Sequence, residues 1–455
     1  MVRETDSGTS FAVSRATRPL AGVALLFAAV VGANAPAAAD TIDICRKADG
    51  ETSQAACSEA IASGKFQGRE LAALYLNRGL VASKHNDLDK AILDYGEAIR
   101  IDPQYDLALS NRCATYVRKQ QSGPAIDDCS KAIALNPDYL NAHISRGNAY
   151  RQRKDYSHAL RDYERAIELD KNSVAALFGA ALVYGATEDY GRALSIYDQV
   201  IRIDEKNGPA FNNRGLIYLK ARDYDHAIQD FTSAIDRDPS NVIAWNNRCA
   251  TYNSKRDSDN ALKDCDQAIQ LNPKYSSAYV GRGRAYRFKN ELDRALEDYD
   301  RAISLDQKSA SAFFGRGYVY SQKEQYQRAI DDYSKASELN PDDPEIWNNL
   351  CWNRALTNQL ELAREACNHS LQLRPNDAAT LDSRGFVNLK AGDWFSAIDD
   401  YDSALKIRPN FDASLYGRGV SKLKMGDTAG GDADIEAAKV IRSSIAEDFK
   451  ALGVK

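Results

Sequence analysis

Residues 242–275 read VIAWNNRCATYNSKRDSDNALKDCDQAIQLNPKY, and the spacing inside this stretch decides the fold. Trp245, Cys249 and Tyr252 recur at intervals of four and three residues, and so do Ala261, Cys265 and Ala268. Each trio therefore forms one stripe of a helix. Asp257 stands between them, a short acceptor side chain suited to cap the second helix, and Pro273 stops that helix because proline cannot continue the hydrogen-bond ladder. The stretch is a helix–turn–helix hairpin of 34 residues.

The same pattern runs outward in both directions at a period of 34 residues without an insertion, giving eleven units from Ala72 to a nominal end at Ile445. Numbered from the first residue of its unit, position 8 is small everywhere: Gly79, Cys113, Gly147, Ala181, Gly215, Cys249, Gly283, Gly317, Cys351, Gly385 and Gly419. Position 20 is Ala in the first ten units, Ala91 through Ala397, and Gly431 in the last. Two helices thus meet small face to small face. Position 16 is Asp at Asp87, Asp155, Asp189, Asp223, Asp257, Asp393 and Asp427, and position 32 is Pro at Pro103, Pro137, Pro239, Pro273, Pro341, Pro375 and Pro409.

These residues resemble the tetratricopeptide repeat family, whose order of large, small, aromatic, Ala, aromatic, Ala and Pro is visible in Trp245, Cys249, Tyr252, Ala261, Cys265, Ala268 and Pro273. The resemblance covers residues 72–439 as eleven tandem units. It implies an all-α fold, a right-handed α-α superhelix of 34-residue hairpins whose first helices line the concave side. Residues 40–71 are expected to form a degenerate N-terminal capping hairpin, and residues 440–455 a polar-faced C-terminal capping helix over Val440 to Val454.

Residues 1–39 have the grammar of an export signal: Arg15 and Arg18, an apolar run from Leu20 to Gly32, then Ala37-Ala38-Ala39 before Asp40. Cleavage there would deliver a periplasmic or secreted protein, whereas retention would leave the run as a membrane anchor. The charged fraction is 27% and the net charge −5, without the basic excess of a nucleic-acid binder. Removing three Arg (Arg3, Arg15, Arg18) and two acids (Glu4, Asp6) takes the balance to −6.

Eleven copies of one unit allow coupling to be read inside a single chain. Position 7 is Arg in nine units and position 23 is Asp in the same nine: Arg78/Asp94, Arg112/Asp128, Arg146/Asp162, Arg214/Asp230, Arg248/Asp264, Arg282/Asp298, Arg316/Asp332, Arg384/Asp400 and Arg418/Asp434. The other two units lose both members, as Ala180/Ile196 and Leu350/Ala366. An ion pair between the two helices of each hairpin is expected, with nine inherited surface charges as the alternative. The eight cysteines follow the same rule: Cys113/Cys129, Cys249/Cys265 and Cys351/Cys367 each occupy positions 8 and 24 of one unit, and Cys45 and Cys57 remain for the opening segment. Four disulfides of this connectivity fit an oxidising compartment, with buried free thiols as the alternative.

On the first helices, positions 2, 5, 6, 9, 12 and 13 form a stripe that the resemblance places on the concave wall. Asn77, Asn111, Asn213, Asn247 and Asn349 at position 6 resemble the asparagine ladders with which some family members hold a peptide backbone. Phe314, Tyr318, Trp352 and Phe386 gather large aromatics there, with Phe288 nearby, and Arg284 and Arg287 stand beside them. The stripe also carries Lys84, Arg118, Arg151, Lys220, Lys390 and Lys424 against Glu345 and Asp382. Many of these basic residues lie where a helix C-terminus favours cations in any case.

No phosphate-binding loop, dinucleotide fingerprint, H-E-x-x-H or G-x-S-x-G is present. His85, His143, His158, His226 and His369 share no repeat position and are expected to titrate at the surface, and no Cys/His spacing suits zinc. The expected function is a non-enzymatic scaffold binding protein or peptide ligands, without cofactor, metal, nucleic acid or small-molecule substrate. The alternatives are a membrane-anchored assembly factor of an envelope or secretion complex, and an enzyme or an enzyme's accessory subunit.

Overall fold

The computed structural model describes residues 43–47 and 50–454, so the export signal expected over residues 1–39 lies outside the described residues. Among the described residues every regular element is helical. They fall into two bodies, the first ending at Asp238 and the second opening at Pro239. In the first body, helix Gly50–Ala62 precedes five hairpins, from Gly68–Lys84 with Leu88–Ile101 to Gly208–Lys220 with Tyr224–Arg237. The second body holds six, from Val242–Ser254 with Ser258–Leu271 to Asp412–Lys424 with Thr428–Ile441, and then helix Ile445–Ala451.

Local chemistry sets the boundaries. All seven position-16 aspartates accept a hydrogen bond from the backbone N–H three residues on, and so cap the second helix. The residue before the cap is left-handed in every hairpin, from Asn86 at φ 63° through Arg222 at 60° to Gly392 at 78° and Gly426 at 91°. The connection is short enough that one residue must adopt this conformation, even where a side chain makes it costly.

The core is the seam where the two helices touch. Position-20 alanines from Ala91 to Ala397 have no solvent exposure, and the position-24 rings Tyr95, Tyr163, Tyr197, Phe231, Tyr299, Tyr333 and Tyr401 are buried among them. Burial pushes the Tyr95 and Tyr163 phenols up to about 12. Each of three rings is held between two glycines: a Cβ on Gly147 or Gly179 would collide with Tyr163, on Gly283 or Gly315 with Tyr299, and on Gly385 or Gly417 with Tyr401. The first glycine of each couple is position 8 of the ring's own unit. The second is position 6 of the next unit, so one aromatic side chain seals a hairpin and joins it to its neighbour.

In three units sulfur takes the place of the ring, and in the last unit Ile435 does. The structure joins Cys113 to Cys129, Cys249 to Cys265 and Cys351 to Cys367, with Cα atoms 5.5, 5.5 and 5.3 Å apart, and Cys45 to Cys57 at 4.8 Å. All eight cysteines are fully buried. Each separation lies in the range a disulfide spans.

The nine Arg/Asp couples are all formed. Arg316 is typical: its Nε donates to Asp332 Oδ2 at 2.8 Å and its Nη2 to Oδ1 at 2.7 Å, a two-pronged bond across the hairpin. The aspartates are buried while the arginines keep one edge in solvent. The reading of these aspartates as surface charges is thereby overturned, and Asp94, Asp128 and Asp264 show it plainly at 7%, 3% and 4% exposure. Asp94 accepts from Arg78 at 2.9 and 2.7 Å, Asp128 from Arg112 at 2.6 and 2.8 Å, and Asp264 from Arg248 at 2.7 and 2.8 Å. Position 23 faces the partner helix, where an unpaired carboxylate would be desolvated without compensation, so both of its oxygens are given to arginine.

The free edge of the arginine, Nη1, reaches position 25 of the preceding unit, at Asp198 from Arg214 (2.5 Å), Asp266 from Arg282 (2.7 Å), Asp300 from Arg316 (2.7 Å) and Asp402 from Arg418 (2.6 Å). Ser130 and Asn368 supply a neutral oxygen to Arg146 and Arg384 in the same way. Position 25 is Asp in only four units, Asp198, Asp266, Asp300 and Asp402, too few to single it out by recurrence.

Gly68–Lys84 is the first helix of the first hairpin and starts four residues before Ala72, and ahead of it the helical turn at 43–46 is joined through Cys45 to Cys57 of helix Gly50–Ala62. At the other end Thr428–Ile441 continues past Val440, the chain breaks over residues 442–444, and a short helix, Ile445–Ala451, closes the array. The break lets Ile445 and Phe449 turn inward and bury themselves. The closing helix is therefore polar on one side and apolar on the other.

A double-mutant cycle tests the ion pair. Arg316→Leu alone should cost about 3 kcal/mol or more in denaturant unfolding because it strands the buried Asp332 carboxylate, whereas Asp332→Ile should cost less because Arg316 keeps Asp300 and its solvent-facing edge. Combined, they should cost less than the sum; additivity would remove the coupling.

Candidate functional site

The remaining face of the first helices is where a partner would meet side chains rather than the seam. The position-23 carboxylates lie outside it: Asp94, Asp128 and Asp264, like the other six, are buried against their arginines and hold hairpins together without meeting a ligand. Position 6 also belongs mostly to the seam. At Gly179, Gly281, Gly315 and Gly417 a Cβ would strike the preceding unit's ring or sulfur, and the asparagines occupy the same position in other units. Asn77, Asn111, Asn213 and Asn247 are half-buried there. Asn349 is buried outright and its Nδ2 donates to the Glu345 carbonyl at 2.8 Å, so it cannot hold a ligand backbone as expected. The ladder is divided between the bodies, three members in the first and two in the second.

The aromatic group divides as well. Phe386 is 1% exposed and is core: it packs on Trp352 at 5.0 Å and on Phe449 of the closing helix at 6.0 Å. Its assignment to a binding surface is overturned because the closing helix covers it. Trp352, Tyr318 and Phe314 are half-buried, the last packed on Tyr333 at 5.7 Å. Arg287 is 7% exposed, with its guanidinium 4.2 Å from the Tyr318 ring centroid and 4.7 Å from that of Phe288. It serves as a cation–π strut between first helices instead of facing a ligand. Arg284 is half-buried.

Two members of the basic stripe, Arg118 and Lys390, cap helices, and Gln152 does the same at the equivalent position. Arg118 donates to the Ser83 carbonyl at 3.0 Å, Lys390 to the Ala355 carbonyl at 2.9 Å, and Gln152 to the Val117 carbonyl at 2.9 Å. In each case position 13 closes the C-terminal end of the preceding unit's first helix, where carbonyls lack partners and the helix dipole favours cations. Desolvation lowers the Lys390 ammonium from its usual value. These groups hold neighbouring units in register.

One histidine departs from the expected surface role. His143 is buried, with Nδ1 3.3 Å from Asp162 Oδ1 and Nε2 2.9 Å from the Pro137 carbonyl. Burial pushes Asp162 up, but bonds from His143 and Arg146 outweigh it and hold the carboxyl below its ordinary range. The stability this contributes is present above the unfolded carboxylate value and is lost as pH falls through the folded one. Position 4, where His143 sits, carries the large residue of the first-helix stripe, and the structure adds a hydrogen bond there that periodicity does not report. Trp245, Tyr279 and Trp347 occupy it elsewhere and donate to the carbonyls of Pro239, Pro273 and Pro341 at 3.0, 3.2 and 2.7 Å, tying each first helix to the proline that precedes it.

Among the described residues no helix is long and apolar enough to cross a membrane. The surface left on the first helices combines half-buried aromatics and amides with exposed cations such as Lys84, Lys220 and Lys424.

Comparison with known proteins agrees with this architecture. Tetratricopeptide repeat models match residues 72–105, 140–173, 174–207, 208–241, 242–275 and 310–343, and a TPR repeat model matches 283–323. No curated protein sequence is significantly similar to the chain. Among solved structures, the chain resembles the APC/C hetero-tetramer Cut9–Hcn1 at 13% identity and a TM-score of 0.46, covering 86% of this chain and 90% of that one. A tetratricopeptide repeat protein from Parabacteroides merdae aligns at 20% identity and 0.46, over 53% of this chain and 96% of that one. Yeast Tom70 aligns at 16% and 0.39, over 84% and 94%.

The division between core and surface has a direct check. Phe386→Ala should destabilise the protein by about 3–5 kcal/mol in chemical denaturation, the range for emptying a buried aromatic site. Tyr318→Ala should cost clearly less; equal losses would place both rings in one core.

Proposed function

The chain belongs to the tetratricopeptide repeat family, and we propose that it is an exported, non-enzymatic scaffold that holds peptide segments of partner proteins against its first helices. Members of this family are in general protein-interaction scaffolds. The observation that carries the reading is the half-buried set Phe314, Tyr318 and Trp352 on first helices of the second body, large rings that keep part of their surface in solvent. Such rings bind through apolar area at low entropic cost.

The expected export signal over residues 1–39 and the buried pairing of all eight cysteines support an oxidising compartment. A cysteine pair closing a hairpin of this length contributes about 3 kcal/mol in the chain-entropy model, and its main effect is on the unfolded chain.

Two measurements test the proposal. Full-length protein should capture members of an immobilised extended-peptide array, and a Phe314→Ala/Tyr318→Ala double variant of unchanged helicity should lose most of that signal; undiminished capture would move binding elsewhere. Material isolated from the producing cell should begin at Asp40 and weigh eight hydrogens less before reduction than after. An intact N-terminus would favour the anchored assembly factor, and an unchanged mass would remove the disulfides.

A further inference from the structure

The last unit breaks a rule that the other ten keep. Positions 18, 22, 26 and 29 follow i, i+4, i+8 and i+11 spacing on the second helix, so they form one stripe. In every other unit at least two of the four are polar or charged, as in Asp293, Glu297, Arg301 and Ser304. In the last unit all four are apolar: Ala429, Ala433, Ala437 and Val440. Helix Thr428–Ile441 buries Gly431, Asp434 and Ala438 against its own hairpin, and the stripe lies on the opposite side. All four side chains are exposed, Val440 at 87%. The closing helix does not cover them, because its Phe449 turns to the first helices and packs on Phe386 and Tyr416. Helix propensity accounts for the alanines, but a β-branched valine gains nothing from a helix, and position 29 is polar or Ala in every other unit.

The apolar surface continues at the turn. Where charges allow, position 14 of one unit is riveted to position 18 of the unit before, as Lys289 Nζ donates to Asp259 Oδ1 at 2.6 Å and Lys323 Nζ to Asp293 Oδ1 at 2.5 Å. At the last junction the same two places hold Met425 and Phe395, which are 52% and 73% exposed. Both stand at the end of the last hairpin where Ala429 begins the stripe.

The order of charges beside the stripe identifies its cover. Asp432 and Lys439 are exposed and flank the stripe on one side, the acid toward the start of the helix and the lysine toward its end. A second copy of this helix laid antiparallel about a two-fold axis brings the same flank of each copy together, so Asp432 of each falls opposite Lys439 of the other. A parallel pairing would set like charges side by side. Small side chains along the stripe let the two backbones approach closely. The antiparallel sense also carries Phe395 and Met425, near the start of one helix, toward Val440 near the end of the other. We infer that the outer face of helix Thr428–Ile441 is the contact between two copies of this chain. Apolar area supplies the association and the paired charges set its direction. The inference goes beyond the peptide-binding reading and does not depend on it, because Phe314, Tyr318 and Trp352 lie on other helices. A dimer would present two sets of those rings, so a partner with two segments is held by both.

Sedimentation velocity of the full chain should show a dimer that dissociates on dilution. Ala433→Glu places a charge in the middle of the exposed stripe without touching the hairpin seam, and should weaken association about tenfold or more while circular dichroism stays the same. Asp432→Lys and Lys439→Asp should each weaken it as well, since each sets like charges opposite one another. An equimolar mixture of those two variants should recover the dimer, because every opposed pair in the mixed species is again of opposite sign. A wild-type chain that stays monomeric throughout the micromolar range would overturn the inference, and a monomer that floats with phosphatidylglycerol vesicles would give the face to lipid instead. A dimer undisturbed by Ala433→Glu would put the contact elsewhere, and a mixture that fails to recover would refute the antiparallel pairing.

Discussion

The close approach of two helices at position 8 is the constraint on which the rest of the molecule depends. A glycine there admits the position-24 ring, and where position 6 of the next unit is also glycine the ring reaches across to it, as Tyr163 does between Gly147 and Gly179. One side chain thus serves as the core of its own hairpin and as the contact with the next. Repeat proteins lack a central core, so stability comes from such nearest-neighbour contacts. The cysteine pairs fit the same logic: a sulfur bridge occupies the volume of a ring and needs the same short Cα separation, so Cys enters positions 8 and 24 together or not at all.

The arginine at position 7 repeats this double duty in polar form. Two nitrogens hold the buried aspartate of its own unit and the third reaches position 25 of the unit before. A planar guanidinium can do this because its donors point in fixed, diverging directions, which a lysine ammonium on a flexible stem does not reproduce. The two units without the arginine compensate differently. Leu350 and Ala366 sit beside the Cys351–Cys367 pair, whereas Ala180 and Ile196 rely on apolar packing, with Phe178 edge-on to Tyr197 at 5.9 Å.

Function occupies what these requirements leave over. Position 13 caps the neighbouring helix, position 6 lies against the neighbouring ring, and position 4 bonds the preceding proline. Some sites at positions 5 and 9 of the second body are less committed, and there the chain places Phe314, Tyr318 and Trp352. Half-buried rings on packed helices are held in place before a ligand arrives, which lowers the ordering cost of binding.

The sequence by itself determined the hairpin, its period, the capping aspartates and the two couplings, Arg with Asp and Cys with Cys. These depend on spacing along one helix or on substitutions repeated across eleven copies, and both are visible in one dimension. How deep each coupled group lies, and which residues of the outer stripe remain free, was decided only by the tertiary structure. Asp94, Asp128 and Asp264 carry charges that a sequence places as readily on a surface, yet the facing helix closes over them. Phe386 looks like Tyr318 in the repeat register, but the break after Ile441 folds Phe449 onto it and removes it from the surface. Asn349 and Arg287 were lost to the interior for the same reason: exposure depends on what the next unit and the chain end place opposite a side chain, and helical periodicity does not report that.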